Sequence, residues 1–305
     1  MRDAFVKALS ELAAEDPSIV LVSGDLGFSV LDDYRARFPD QFINAGVAEQ
    51  NMTALACGMA LEGARAYTYS IASFPTFRCL EQLRNDVCYH GAAVTVVAVG
   101  GGFSYGPLGM SHFATEDLAI MRAIPGMTVV APSDPWMARE LARQLHAAGR
   151  PAYLRIDKGN ASLPPGRVEL GKVRMIEHGK DGVIFAIGGI LSEALAAVEI
   201  LSTEGLSIGL VDVHTLKPFD VDGVLQAAKG QPIVVTLEEH NVIGGLGSAV
   251  AEALLEGGVV PPAFRRIGVA DTFPGTVGDQ QYLRSECGLD RHAVVSAFRE
   301  ALARC

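Results

Sequence analysis

The sequence predicts an α/β protein of two domains, each a mostly parallel β-sheet covered by helices. The chain has 305 residues, which is longer than the usual single domain. Short apolar segments bounded by turn residues alternate with segments of helical period in both halves. Between the halves, in the stretch 157–182, this alternation stops and proline, glycine and charged residues accumulate. We predict domains at 1–165 and 180–305, joined by a linker at 166–179.

Each half supplies its own series of elements, beginning with an amphipathic helix over MRDAFVKALSELAAEDP. First-half strands are predicted at IVLVS, QFINAG, AYTYSI, VTVVAVG, MTVVAP and AYLRID, which begin at residues 19, 41, 66, 94, 127 and 152. Second-half strands are predicted at VIFAIG, SIGLVDV, PIVVTLEE and FRRIGVA, which begin at residues 183, 207, 232 and 264. Helices are predicted between them at 52–61, 135–147, 192–204, 222–228, 247–256 and 290–303. This alternation is the βαβ pattern of parallel strands connected by helices.

Composition and charge exclude several classes of protein. Hydrophobic residues make up 49% and charged residues 20%, as in ordinary globular proteins. A formal net charge of −10 without a Lys/Arg cluster argues against nucleic acid or a membrane surface as partner. No segment has the length and apolarity of a membrane span or a signal peptide, so we expect a cytoplasmic protein. The cysteines form no CxxC pair and are expected to be reduced core residues: Cys57, Cys79, Cys88, Cys287 and Cys305.

The stretch NAGVAEQNM places a single carboxylate at the start of a helix. Gly46 allows a tight turn, and Ala45 and Ala48 leave space beside the backbone. Glu49 then lies in the first helical turn, near the positive end of the helix dipole. Taken alone, Glu49 is also compatible with an ordinary helix-start glutamate.

Two further stretches carry side chains suited to ligand binding. Phe74 and Phe77 lie where the chain leaves a strand and starts a helix, and their rings could stack on a flat heterocycle or pack in the core. The glycine-rich segment 100–106 follows a strongly apolar strand, and such a backbone can approach a ligand closely. His112 comes next, where it could hydrogen-bond a substrate, shuttle a proton or serve a structural role.

The order and spacing of these segments are similar to those of a known family. The series Asp25-Leu26, AGVAEQNM, SFPTF, GMSH, EDLAIMRAIPGM, VVAPSD and AYLR resembles the pyrimidine-binding domain of transketolases. TLEEHNVIGGLGSAVAEAL and RIGVADTF resemble the transketolase C-terminal domain. The resemblance covers essentially the whole chain. It implies a pyrimidine-binding thiamin-diphosphate fold followed by a transketolase C-terminal domain.

The resemblance also implies an activity and a partner. Transketolases transfer a two-carbon ketol unit from a ketose to an aldose-type acceptor with thiamine diphosphate. In this family a GDG motif binds Mg²⁺ and the cofactor diphosphate, and no GDG occurs here. The chain therefore resembles the small subunit of a split transketolase. A larger subunit would carry the metal-diphosphate site, in an α2β2 assembly that acts on small-molecule sugars.

Individual residues inherit roles from this resemblance. Glu49 aligns with the glutamate that hydrogen-bonds a ring nitrogen of the cofactor aminopyrimidine and activates the cofactor. Phe74 aligns with the aromatic residue that stacks on the pyrimidine, and Phe77 with a neighbouring ring. His112 aligns with a histidine that contacts substrate oxygens. Glu49 and His112 are thus the expected catalytic residues.

Substrate recognition combines matches and departures. Ser23, Arg155 and Arg2 match family positions that contact the substrate phosphate, and they could supply a hydroxyl and two guanidinium groups. Leu108 stands where common transketolases have an aspartate that accepts from sugar hydroxyls. Gly100 stands near a family histidine that binds substrate phosphate. These departures favour a substrate other than the standard pentose phosphates.

Two alternative functions remain open at this stage. The beta subunit of a 2-oxo acid dehydrogenase shares both domains and also lacks the metal motif, although AGVAEQNM and GMSH are more similar to transketolase. A non-catalytic partner subunit with the same fold is the other alternative. Oxidative decarboxylation of pyruvate would identify the first, and full activity without the Glu49 carboxylate would identify the second.

Overall fold

The computed structural model of the protein describes residues 1–303 and consists of two mostly parallel sheets covered by helices. The strands are β1 (Ile19–Ser23), β2 (Phe42–Asn44), β3 (Arg65–Ile71), β4 (Val94–Val99), β5 (Thr128–Val130), β6 (Ala152–Ile156), β7 (Arg174–Glu177), β8 (Gly182–Ile187), β9 (Ile208–Asp212), β10 (Thr215–Lys217), β11 (Ile233–Asn241) and β12 (Ala263–Val269). The helices are α1 (Arg2–Glu15), α2 (Asp32–Arg37), α3 (Glu49–Leu61), α4 (Leu80–Gln82), α5 (Asp117–Ala123), α6 (Pro135–Ala148), α7 (Leu191–Thr203), α8 (Val221–Ala228), α9 (Leu246–Glu256), α10 (Gln280–Glu286) and α11 (Arg291–Leu302). The predicted fold class is confirmed.

The first sheet has seven strands in the order β10-β5-β6-β4-β3-β1-β2. All neighbouring pairs are parallel except β10 with β5. Every residue of β4 is buried, as expected for a strand covered by helices on both faces. The sequence VTVVAV suits such a strand, because only one of its residues is polar.

The second sheet has five strands in the order β12-β11-β8-β9-β7. Its neighbouring pairs are parallel except β7 with β9. Alternate residues of β8 point to opposite faces, so that Phe185 and Ile184 join different apolar clusters. The cluster that contains Phe185 also contains Val22 and Met52 of the first half, so one apolar layer is shared by both sheets.

Two short strands do not appear among the segments that the sequence predicts. β10 follows β9 of the second sheet in the chain but pairs with β5 at the edge of the first sheet. β7 lies inside the segment that the sequence assigns to the linker, and it pairs with β9. Both strands are antiparallel edge strands of three or four residues, too short for a clear apolar pattern.

The thiols and the helices agree with the other general predictions. Cys57 and Cys79 are buried, Cys88 and Cys287 are half-buried, and all four are unpaired. Burial raises the pKa of each of these thiols, for Cys88 to about 11. The predicted core position is confirmed for Cys57 and Cys79 but only in part for Cys88 and Cys287, while Cys305 lies outside the described residues. Within residues 1–303, no helix is both long enough and apolar enough to cross a bilayer.

The topology gathers several loops at one edge of the first sheet. β1 has β2 on one side and β3 on the other, so the chain order reverses at β1. Ligands of open parallel sheets bind at such reversal points, outside the carboxyl ends of the strands. The segments that follow β2, β3 and β4 contain Glu49, Phe74 and His112 respectively. The fold therefore brings these residues to the same edge.

Candidate active site

A tight turn delivers Glu49 to the sheet edge. The side-chain Oδ1 of Asn44, the last residue of β2, accepts a hydrogen bond from the backbone N–H of Gly46 at 2.9 Å. Gly46 has φ +73°, a left-handed conformation that glycine adopts without strain. Helix α3 then begins at Glu49, whose side chain is only 2% exposed. The predicted turn and the helix-start position of the acid are confirmed.

A glycine and an unpaired hydroxyl lie beside Glu49. Gly24 follows β1, and a Cβ atom there would stand 3.6 Å from Glu49 Cγ and 3.6 Å from Ser70 Oγ. A Cβ atom at Gly24 would thus be in van der Waals contact with both side chains. Ser70 Oγ is buried without a hydrogen-bond partner among the described residues. A carboxylate and an unpaired hydroxyl thus lie beside the same glycine.

Sequence reasoning missed a cation that contacts the acid. Arg78 ends the wide π-helical turn Phe74–Arg78, and its Nη1 donates to Glu49 Oε2 at 2.6 Å. The Arg78 Cζ lies 5.0 Å from the centroid of the Phe74 ring. Arg78 follows Phe74 by four positions, a helical spacing that puts both side chains on one side. This spacing was the signal in the sequence that could have predicted the contact.

His112 lies on the other side of Phe74. It ends a short 3₁₀ turn, Met110–His112, and its ring is 5.3 Å from the Phe74 ring with an interplanar angle of 66°. Ser111 Oγ lies 3.0 Å from His112 Nδ1 and fixes the imidazole on that side. Glu49, Arg78, Phe74 and His112 therefore form one continuous row of contacts. Phe77 is on the same turn, is 41% exposed, and makes no aromatic pair within residues 1–303.

Comparisons with known proteins identify the family of the chain. The family model "Transketolase, pyrimidine binding domain" matches residues 1–164, and "Transketolase, C-terminal domain" matches residues 171–294. The chain belongs to the transketolase family. The edge that carries Glu49, Phe74 and His112 is therefore part of a transketolase pyrimidine-binding domain.

Similar transketolases include split subunits of nearly the same length. The chain is 38% identical to "6-deoxy-6-sulfo-D-fructose transketolase subunit SqwH" of Clostridium sp. (strain MSTE9), over 100% of this chain and 95% of that protein. It is 33% identical to an apulose-4-phosphate transketolase subunit of Phocaeicola vulgatus, over 98% of this chain and 96% of that protein. A solved structure, "Split gene transketolase, inactive beta4 tetramer", matches with a TM-score of 0.88, 36% identity and coverage of 99% and 97%. This chain is a split transketolase-type subunit.

Two residues that the transketolase resemblance assigns to substrate phosphate are enclosed by the protein. Ser23 is buried, and its hydroxyl donates to Leu26 O at 2.9 Å while accepting from Leu26 N at 3.2 Å. The Arg155 side chain is 1% exposed and lies 3.1 Å from Asp117 Oδ2 through Nε. Its Nη2 donates to the carbonyl oxygens of Ala114 and Glu239 at 2.9 and 2.8 Å. A phosphate could reach Arg155 only if this part of the transketolase fold opened.

Two glycines of the glycine-rich segment 100–106 pack against buried charged side chains. A Cβ atom at Gly101 would stand 2.3 Å from Arg155 Nε, and one at Gly102 would stand 2.2 Å from Glu239 Oε1. Phe103 N donates to the same Glu239 oxygen. Gly101 and Gly102 let two buried charged side chains approach the backbone, which corrects the expectation of close ligand approach at these two positions.

Arg2 lies apart from this enclosed region and lines an open cavity. The cavity has a volume of about 250 Å³ and contains Arg2, Gly100, Tyr105, Asp157 and Lys158 in its lining. It begins where β4 and β6 end, on the same edge of the sheet as the acid. The Lys158 ammonium lies 5.1 Å from the centroid of the Tyr105 ring. Sequence reasoning missed Lys158, because an isolated lysine in a turn is not part of any recognisable motif.

Proposed function

We propose that this chain is the small subunit of a two-chain, thiamine diphosphate-dependent transketolase. The complete enzyme transfers a two-carbon ketol unit from a ketose to an aldose-type acceptor. The buried Glu49 carboxylate, in one row with Phe74 and His112 at a topological reversal point, is the observation that supports this function. The named split-transketolase relatives support it independently.

The residues around Glu49 fit the aminopyrimidine part of thiamine diphosphate. Glu49 would hold a ring nitrogen by a hydrogen bond and keep a proton at that atom. Phe74 would supply an aromatic face, and the unpaired Ser70 hydroxyl a further polar contact. Gly24 would let the ring approach the backbone beside Glu49 without a side chain between them. When bound, the cofactor supplies the carbon nucleophile and electron sink for the transfer.

The remaining part of the cofactor needs a second chain in this proposal. A larger subunit with a GDG motif would bind Mg²⁺ and the diphosphate, and two copies of each chain would form α2β2. The similar proteins are themselves named as subunits, and the solved relative made of beta chains is described as inactive. Both descriptions support dependence on a partner.

The substrate is proposed to be a sugar that carries an anionic group. His112 would donate to substrate oxygens beside Phe74. Arg2 and Lys158 would bind a phosphate or sulfonate in their cavity, and Arg2 would leave Asp3, to which its Nε donates at 3.0 Å. Leu108 is 55% exposed beside the site and offers no acceptor for sugar hydroxyls. The names of the relatives, a sulfofructose and an apulose-4-phosphate transketolase subunit, support an anionic, non-standard sugar.

An activity measurement tests the proposal. The chain is co-purified with the larger subunit and supplied with thiamine diphosphate and Mg²⁺. One reaction contains anionic ketoses with an aldose acceptor, and the other contains pyruvate with an electron acceptor. Ketol transfer by the pair, absent from either chain alone, is expected. Oxidative decarboxylation of pyruvate instead would replace this function with that of a 2-oxo acid dehydrogenase.

A further inference from the structure

One guanidinium makes both contacts that a flat ring would need at Glu49. Arg78 donates to the Glu49 carboxylate at 2.6 Å, and its Cζ lies 5.0 Å from the centre of the Phe74 ring. A guanidinium is planar, donates hydrogen bonds in its plane and stacks on aromatic faces. An aminopyrimidine has the same three properties. Arg78 therefore occupies the position that a stacked, hydrogen-bonded heterocycle would take.

We propose that Arg78 is an internal competitor of the cofactor pyrimidine, which leaves Glu49 and Phe74 when the ring binds. This inference rests on the proposed function, because it takes the aminopyrimidine as the ring that enters. It gives Arg78 a positioning role: the residue sets how tightly the site holds its cofactor. The side chain also explains how Glu49 is buried in this chain by itself, since a buried carboxylate without a partner is strongly unfavourable.

The geometry makes this exchange inexpensive. The Arg78 side chain is 49% exposed, so the guanidinium can turn toward water without unfolding its surroundings. Glu49 is its one carboxylate partner within residues 1–303. The entering ring would replace Arg78 as the hydrogen-bond partner of Glu49, and water would solvate the guanidinium, so that neither charge is left without a partner. The Arg78 backbone is held separately, because its carbonyl oxygen accepts from Gln50 Nε2 at 3.1 Å.

Cofactor titration of the two-chain enzyme tests this inference. Thiamine diphosphate is titrated at fixed Mg²⁺ by calorimetry into pairs that contain wild-type chain, Arg78→Met, Arg78→Lys or Arg84→Met. Removing the competing ion pair and cation–π contact should lower Kd about five- to tenfold in Arg78→Met. Arg78→Lys keeps the charge but loses the planar stack, and should lower Kd about twofold. Arg84→Met is the matched control, because Arg84 is exposed in the same helical segment and its Nη1 donates to Asn85 Oδ1.

The outcomes separate this inference from the function on which it rests. An unchanged or higher Kd in Arg78→Met, with Arg84→Met equal to wild type, would overturn it and make Arg78 a cofactor-holding residue. If Arg78→Met fails to fold by circular dichroism, the Arg78→Lys titration decides in the same way. A wild-type pair that binds no thiamine diphosphate would end both proposals. A pair that binds it with the expected order of Kd values but transfers no ketol unit would end only the proposed reaction.

Discussion

Two arginine–carboxylate pairs in the first half of the molecule differ in how much of each pair the protein encloses. Arg78 and Glu49 approach to 2.6 Å, but only the acid is buried and the guanidinium is half-exposed. Arg155 and Asp117 lie 3.1 Å apart, and both side chains are enclosed. An acid whose partner can turn into water remains available to a ligand. An acid whose partner is enclosed on every side stabilises the fold instead of binding a ligand. We refer to Arg78–Glu49 as the open pair and to Arg155–Asp117 as the enclosed pair.

The enclosed pair belongs to a buried polar network that joins the two sheets. Tyr153 donates to Asp117 Oδ2 at 2.8 Å and lies 2.9 Å from Thr76 Oγ1. Arg155 continues the network to the backbone of Glu239 near the end of β11. Thr76 sits between Phe74 and Arg78 on the π-helical turn. The network therefore fixes the backbone from which the open pair projects.

The largest effect is expected from the open pair. Glu49→Gln should lower kcat of the two-chain enzyme by about 10²- to 10⁴-fold, because the amide cannot hold and return the proton. The substitution conserves shape, so far-UV circular dichroism should remain unchanged. Steady-state ketol transfer with saturating cofactor measures the effect.

Glu62→Gln is the matched control for this variant, because Glu62 is exposed at the other end of the same helix. It should retain full activity. Equal activity of Glu49→Gln and Glu62→Gln would instead identify a non-catalytic partner subunit.

Substitution in the enclosed pair should lower the stability of the protein. Arg155→Met should lower the free energy of unfolding by about 3–5 kcal/mol, because it leaves Asp117 buried without its cation. Arg78→Met also leaves a buried carboxylate, Glu49, without its cation, but at a half-exposed position that water can enter, and it should cost less, about 1–2 kcal/mol. Urea unfolding of the isolated chain measures both values. Similar losses in the two variants would contradict the distinction between an open and an enclosed pair.

The smallest of these effects is expected at His112, the end of the row farthest from the acid. His112→Asn should lower kcat/KM about tenfold through the loss of a hydrogen bond to substrate. The Kd of thiamine diphosphate should stay the same, because the proposed role of His112 is with the substrate. His90→Asn, at an exposed histidine of the surface, controls for a general effect. A loss of cofactor affinity in His112→Asn would instead show that His112 binds the cofactor.

Much of this fold follows from local sequence patterns. β4 and α6 match their predicted segments within a residue, because long apolar runs and clear helical periodicity determine them locally. The turn at Gly46 and the start of α3 were predictable for the same reason. β7 and β10 were not, since short edge strands are stabilised by pairing partners far away in sequence.

The site was predictable in part. The motif around Glu49 predicted an acid at a helix start, and the structure places Phe74 and His112 in the same row, while the roles inferred from the resemblance stay predictions. Arg155 and Ser23 match family motifs, but their enclosure depends on tertiary contacts that sequence alone does not specify. Arg78 escaped notice because an arginine at the end of a helical turn is ordinary until its partner is known.

A structure of the two-chain complex with thiamine diphosphate and Mg²⁺ tests the proposed pyrimidine site around Glu49 most directly. The distance to measure joins the Glu49 carboxylate to the nearest aminopyrimidine ring nitrogen. We expect a hydrogen bond of about 2.6–3.0 Å, with the pyrimidine stacked against Phe74. A cofactor ring bound elsewhere, with Glu49 still covered by protein side chains, would contradict this account.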